Sequence, residues 1–172
     1  ALALRPEPRR LTVTARHDSP LGPIVLAATD RGLAGLWFEG QRHWPAEIAQ
    51  WPAQAGHPML VRARAQLDDY FAGRLRAFEL PLDLPLGTPF QAKVWAALCA
   101  IPCGQTLSYA ALGQRIGAPA AVRAVGAAIG RNPVSIVVPC HRVLGKAGAL
   151  TGYAGGLERK TALLQLEGAL LC

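Results

Sequence analysis

Between residues 11 and 38, apolar and polar positions follow one another in β-branched runs, "LTVTARHDSPLGPIVLAATDRGLAGLWF". Ser19-Pro20-Leu21-Gly22 and Thr29-Asp30-Arg31-Gly32 break those runs with turn chemistry, so the segment predicts strands of an antiparallel sheet. Residues 41–57, rich in Trp, Pro and Gln, show no period. From Pro58 to about Ala72 the period becomes helical. Leu60, Ala63, Leu67, Tyr70 and Phe71 share one side, and Arg62, Arg64, Asp68 and Asp69 lie off it. "RAFELPLDLPLGTP" is punctuated by proline and predicts an extended linker. With the linker at 81–87, the chain divides into an N-terminal domain over 1–80 and a C-terminal domain over 88–172.

The second half is mostly helical in pattern. "TPFQAKVWAALCAIP" has an N-cap at Thr88, a first-turn Pro89 and a stop before Pro102. "LSYAALGQRIG" starts at a Ser108 cap and ends on Gly117. "APAAVRAVGAAIGRN" opens with Pro119 and runs to about Gly130. Two short helices around a tight glycine-containing turn predict a helix-turn-helix. "SIVVPCHRVL" predicts a short buried strand, "GKAGALTGYAGG" a glycine-rich loop, and "GLERKTALLQLEG" a closing amphipathic helix. The fold class expected is α+β: an antiparallel sheet with a helix, then a helical domain.

Composition adds limits. Of 172 residues, 51% are hydrophobic and 17% charged, which excludes a disordered chain. No apolar run is long enough to span a membrane, and "ALALRPEPRR" is too short and polar for a signal peptide. Cys99, Cys103, Cys140 and Cys172 contain no C-x-x-C pair, so neither a zinc knuckle nor a thioredoxin motif is present. The expectation is a cytoplasmic protein with free thiols. Charge is segregated. Residues 1–87 hold ten Lys and Arg against nine acids, whereas residues 88–172 hold eight against two, Glu158 and Glu167. A basic half favours a polyanionic partner, because each neutralised phosphate releases condensed counterions. The second helix of the pair offers little to base edges: Ala120, Ala121, Ala124, Gly126, Ala127 and Ala128 surround one arginine, Arg123. Such a surface permits close, sequence-tolerant contact with DNA, and it equally permits tight helix packing.

The candidate chemistry sits at Pro139-Cys140-His141-Arg142. A thiol needs a base or a positive field to become a nucleophile. His141 is adjacent in sequence, and neighbours on a helical turn diverge by about 100°, so a bridging water suits the pair better than direct contact. A carboxylate would have to orient the imidazole. Of the two acids in this half, Glu158 lies among Arg159 and Lys160, and Glu167 follows Leu163, Leu164 and Leu166. Glu167 is therefore the candidate. The dipeptide alone is equally compatible with an inert packing cysteine.

"IVVPCHRV" resembles the active-site signature of the O6-alkylguanine-DNA alkyltransferases. "IPCGQTLSYAALGQRIGAPAAVRAVGAAIGRNPV" is similar to that family's helix-turn-helix and asparagine hinge, and "GYAGGLERKTALLQLEG" to its substrate loop and last helix. The likeness covers roughly residues 87–168, and "SPLGPIVLAATDRGLAGLWF" extends it more loosely to the family's ribonuclease-H-like domain. The resemblance implies direct-reversal DNA repair. An O6-alkylguanine, with O4-alkylthymine as a further candidate substrate, is flipped from the duplex and its alkyl group moves irreversibly to Cys140, one turnover per molecule. It implies proton withdrawal by His141 through a water and by Glu167, with Asn132 as the hinge and Tyr109 beside the target phosphate and guanine N3. It implies Arg123 entering the duplex in place of the base, with Tyr109, Ala124, Ala127 and Arg142 also at the DNA. Its guanine pocket takes in Tyr153, Gly155 and Gly156, together with Val143 and Lys160. No cofactor is implied, and no zinc, since no cysteine precedes Cys99. The partner is duplex DNA carrying the lesion, not a membrane, bound by a monomer that could cluster on DNA. Ser135 stands where many relatives have a second proline, and Ala154 where some have a hydroxyl residue. Rival readings are a sequence-specific helix-turn-helix regulator with a structural Cys140, a lesion sensor without an acceptor thiol, and a Cys-His hydrolase. The regulator is disfavoured by the second helix's poverty in base-reading side chains, the sensor by Cys140 itself, and the hydrolase leaves the basic half unexplained.

Overall fold

Three antiparallel strands, β1 (Val13–Ser19), β2 (Gly22–Thr29) and β3 (Gly32–Phe38), form a meander with β2 at its centre. The computed structural model describes residues 11–85 and 87–170, so expectations for residues 1–10 and for Cys172 lie outside the described residues. The two turns fall where the sequence placed them, and Gly22 sits at φ 108°, where a side chain is strained. Helix α1 (Pro58–Phe71) lays Leu60, Ala63, Leu67 and Tyr70 against the sheet.

Neither sheet edge is left bare. On the β1 side, Thr14 N donates to Pro52 O at 3.0 Å and its own carbonyl accepts from Gln54 N at 2.8 Å. On the β3 side, Leu33 N donates to Pro81 O (2.8 Å) and Leu33 O accepts from Asp83 N (2.9 Å). Further along the same strand, Leu36 N donates to Pro133 O (3.0 Å) and Leu36 O accepts from Ser135 N (3.1 Å). Residues 81–83, expected in a linker, are thus bonded to β3. Gly32 makes room for them: a Cβ there would lie 2.4 Å from Pro81 O. The segment leading to Cys140 is tied to the same strand. Paired edges satisfy backbone groups that would otherwise invite association.

The second half contains α2 (Pro89–Cys99), α3 (Tyr109–Arg115), α4 (Val122–Gly130) and α5 (Leu157–Leu166). Two-residue strands β4 (Leu107–Ser108) and β5 (Val143–Leu144) pair in parallel. Thr88 and Gln91 close a capping box at the start of α2, and Ser108 Oγ accepts from Ala111 N at 3.0 Å. α4 begins at Val122, three residues after Pro119. Ala121 offers no side-chain cap, and residues 118–121 form a turn in which Ala121 N donates to Ala118 O. α2 buttresses the pair through Trp95, whose Nε1 donates to Ala128 O at 3.0 Å. Buried residues from both halves, including Leu36, Phe38, Leu67, Val94, Leu112, Val138 and Leu163, form one continuous core.

Candidate active site

The expected strand before Cys140 is absent. Only Val134 bridges to β3, and the chain then folds through consecutive tight turns. Val137 N donates to Ser135 O across Ile136, whose φ is 73°, and Cys140 N donates to Val138 O at 2.8 Å. A β-branched residue in the left-handed region is costly, and it persists only where its surroundings over-determine it. Asn132 supplies much of that constraint. Its Nδ2 donates to Val138 O at 2.8 Å and its Oδ1 accepts from Val134 N at 3.0 Å. One buried side chain therefore brackets the whole turn and replaces the ladder partners a strand would have had. A single 3₁₀ turn, Cys140–Arg142, follows.

Cys140 is buried and lies at a pocket of about 360 Å³, also lined by Tyr109, Gly126, Ala127, Gly152, Tyr153 and Ala154. Burial pushes its thiol up to about 11, against opposing contributions from Asn132 and the Lys160 charge. At neutral pH the resting sulfur is then a thiolate in about one molecule in ten thousand. For this sulfur to act as a nucleophile, a base would have to take its proton.

His141 is the candidate. His141 is fully buried, and its Nε2 lies 2.8 Å from Glu167 Oε2. Burial raises the Glu167 carboxyl by itself, but hydrogen bonds from His141 and Arg142 outweigh it and hold the group at about 2. The ionised carboxylate can only accept, so Nε2 carries the hydrogen and Nδ1 keeps its lone pair. Nδ1 is buried and bonds to no protein atom. Burial holds the imidazole below its ordinary value despite the pull of Glu167, and the Arg142 and Lys160 charges act in the same direction. His141 is therefore a neutral base with one free lone pair.

Glu167 is gripped from three sides. Arg142 Nε donates to Oε1 at 2.8 Å and its Nη2 to Oε2 at 3.0 Å; Tyr70 OH donates to Oε2 at 2.6 Å. Arg142 Nη1 also donates to Ile101 O at 2.6 Å. This corrects the expectation that Arg142 meets DNA: it is buried, and its guanidinium offsets the only buried carboxylate in the described second half. Leaving Glu167 unpaired would cost more than a phosphate contact returns.

The other expected residues divide. Tyr109 lines the pocket and its hydroxyl donates to Thr151 O at 3.4 Å. Tyr153 forms a wall, with its hydroxyl buried and unbonded. Arg123, Ala124 and Ala127 are exposed on α4, as a DNA-facing surface requires. Val143 does not face the pocket; it is fully buried on β5, paired with Leu107. Lys160 does not line it either. Its Nζ donates to Thr151 O at 2.7 Å and Gly152 O at 3.4 Å, gripping the pocket loop from behind. Burial lowers this ammonium to about 8, so it stays charged at neutral pH close to Cys140. Gly155 and Gly156 also support the wall. A Cβ at Gly155 would come within 2.9 Å of both Phe38 and Tyr153, and Gly156 caps α5 at φ 92°. Cys99 and Cys103 line a separate cavity of about 290 Å³ behind the turn, and burial raises both thiols. Among the described residues no group of His, Cys, Asp and Glu could hold a metal ion.

Sequence reasoning missed Tyr70, which reaches Glu167 from 97 residues away, and it missed the role of Arg142. Tyr70 reads as one more apolar residue on the inner face of α1, and nothing in its neighbours marks the hydroxyl. Arg42, His43 and Arg131, which also line the pocket, were missed as well.

Comparison with known proteins agrees with this geometry. Residues 12–84 match the family model described as the 6-O-methylguanine DNA methyltransferase ribonuclease-like domain, and residues 89–169 its DNA binding domain. A methylated-DNA–protein-cysteine methyltransferase of Mycobacterium leprae is 48% identical over 150 residues, 87% of this chain and 88% of that protein. The solved Mycobacterium tuberculosis O6-methylguanine methyltransferase superposes with a TM-score of 0.84 at 46% identity, covering 92% of this chain and 93% of that one. The same bacterium's OGT, solved in complex with DNA, gives 0.81 at 47% identity, with 92% of each chain covered. Likeness of this extent, on a fold that brings Asn132, Cys140, His141 and Glu167 together, establishes descent as well as shape: the chain belongs to the 6-O-methylguanine DNA methyltransferase family.

Proposed function

We propose that this protein repairs DNA by moving the alkyl group of an O6-alkylguanine onto Cys140, once per molecule. The observation that carries the reading is the wiring behind the thiol. His141 has Nε2 committed to an ionised Glu167 and Nδ1 buried with its lone pair unused, next to a thiol too basic to ionise unaided.

The steps follow from that wiring. The damaged base leaves the stack and enters the Cys140 pocket, at a cost of a few kcal/mol that is smallest for a poorly paired lesion. The S–H proton passes through a water to His141 Nδ1, and Glu167 stabilises the imidazolium that forms. Sulfur attacks the alkyl carbon; the S–C bond forms as the C–O6 bond breaks. The departing guanine takes up a proton, for which Tyr109 OH at the pocket wall is the donor, and solvent restores it. The net change is thiol plus alkylguanine to thioether plus guanine. A thioether has no ready leaving path, so the protein is consumed.

Binding without sequence preference suits the exposed face of α4, where Arg123 is the single long polar side chain beside Ala124 and Ala127. That face also argues against the sequence-specific regulator. The test is stoichiometry. With a tenfold excess of a duplex containing one O6-methylguanine, repaired guanine should plateau at one per protein; continued turnover would overturn the reading.

A further inference from the structure

Two guanidinium groups and an imidazole at the mouth of the Cys140 pocket take no part in the chemistry above. Arg42 and His43 come from the loop after β3, and Arg131 is the residue that ends α4. The loop is fixed. Gln41 is buried; its Oε1 accepts from Phe38 N at 2.9 Å and its Nε2 donates to Arg42 O at 3.2 Å. Arg42 N donates to Ala154 O at 3.0 Å, which fastens the loop to the pocket wall. His43 turns the chain at φ 58°, a conformation few residues with a Cβ adopt.

All three residues are exposed, and no hydrogen bond or ion pair to a described residue holds their side chains. They crowd one another. Partial burial, then Arg131, then Arg42 hold the His43 imidazole below its ordinary value. Glu47 and Asp83 line the adjoining cavity that His43 and Arg131 share, but neither is among the charges acting on His43. Two exposed guanidinium groups brought to one mouth make it a favourable place for an anion. A base flipped into the pocket leaves its sugar and phosphates at the mouth, because flipping is a rotation about the backbone.

We infer that Arg42, His43 and Arg131 form a clamp, one jaw from each half of the molecule, for a DNA backbone phosphate beside the flipped nucleotide. The inference rests on the alkyl-transfer reading, since it needs a nucleotide in this pocket. It gives the N-terminal half, nearly neutral overall, a direct hold on DNA, and places that hold against the loop that walls the base.

The test pairs two neutralisations. Duplexes with one O6-methylguanine carry a neutral methylphosphonate at one flanking position at a time. Binding is measured in a Cys140→Ser background for the otherwise unchanged chain, for R42A/R131A, and for R62A as a control on the exposed side of α1, with thermal unfolding to verify folding. One methylphosphonate position should weaken the unchanged chain roughly tenfold, the scale of a charge-assisted hydrogen bond. R42A/R131A should bind the unmodified duplex weaker by a similar factor and lose less than about twofold more at that position. R62A should keep the full sensitivity. If R42A/R131A loses as much as the unchanged chain at every position, or binds the unmodified duplex as tightly as R62A, the clamp is wrong. Wild-type protein is also mixed with the unmodified lesion duplex. No transfer there would sink the repair reading and the clamp with it, whereas intact transfer without coupling would sink the clamp alone.

Discussion

Glu167 is where charge, burial and chemistry meet. It is 3% exposed, takes two bonds from Arg142, one from Tyr70 and one from His141, and its carboxyl sits at about 2. A folded value below the unfolded one of about 4.3 stabilises the protein above that value and stops doing so as pH falls towards 2. Glu167→Gln should therefore cost about 3 kcal/mol of stability at pH 7 by urea unfolding, and the deficit should shrink as the pH is lowered below 4. The same substitution should slow alkyl transfer by about a hundredfold, because the imidazolium loses its partner. His141 gives a second prediction. Burial keeps it neutral, so the transfer rate should show no downturn as pH falls through about 6.5, the ordinary imidazole value. A rate-pH profile for single-turnover transfer checks this, and a midpoint at that ordinary value would contradict a buried neutral base.

The elements that hold the site differ in how far the sequence disclosed them. The meander, α1 and the capped α2 and α3 were readable because period and caps are local properties, seen in Ser19–Gly22, the Thr88–Gln91 box and Ser108. Residues 135–138 were not. Their β-branched run satisfies every local criterion for a strand, and it is bent only because Asn132 and the edge of β3 supply its bonds from outside. Within the site, Cys140 and His141 stood out in the Pro139–Arg142 stretch and Glu167 through the scarcity of acids in the basic half, whereas Tyr70 and the part played by Arg142 depend on contacts between segments far apart in the chain. The turn yields a prediction at this level. Asn132→Ala leaves Val134 N buried and unpaired and takes one of the two bonds from Val138 O, which keeps that from Cys140 N, costing roughly 1–3 kcal/mol. Transfer should fall further than stability alone explains, since the same bracket aims Cys140. Chemical unfolding and single-turnover rates on one preparation separate the two, and equal losses would refute the aiming role.

Across the whole molecule, one core spans both halves and the excess positive charge lies in the second. Affinity for duplex DNA should fall with salt at about 0.9 log unit per log unit for each phosphate neutralised. The slopes should be nearly equal for intact and lesion-bearing duplexes, because phosphates and not the base set them; fluorescence anisotropy at several salt concentrations measures both. A flat salt response would remove the electrostatic account of binding. The described chain has no helix long and apolar enough to cross a membrane. On the proposed reading these levels meet at Cys140, a buried thiol that needs a base to become a nucleophile. The most direct measurement is the intact mass of the protein after incubation with a duplex holding one O6-methylguanine, followed by peptide mapping. The account predicts a single added methyl, carried on Cys140, with unmodified guanine left in the DNA. A protein of unchanged mass, or a methyl group on Cys99 or Cys103 instead, would contradict it.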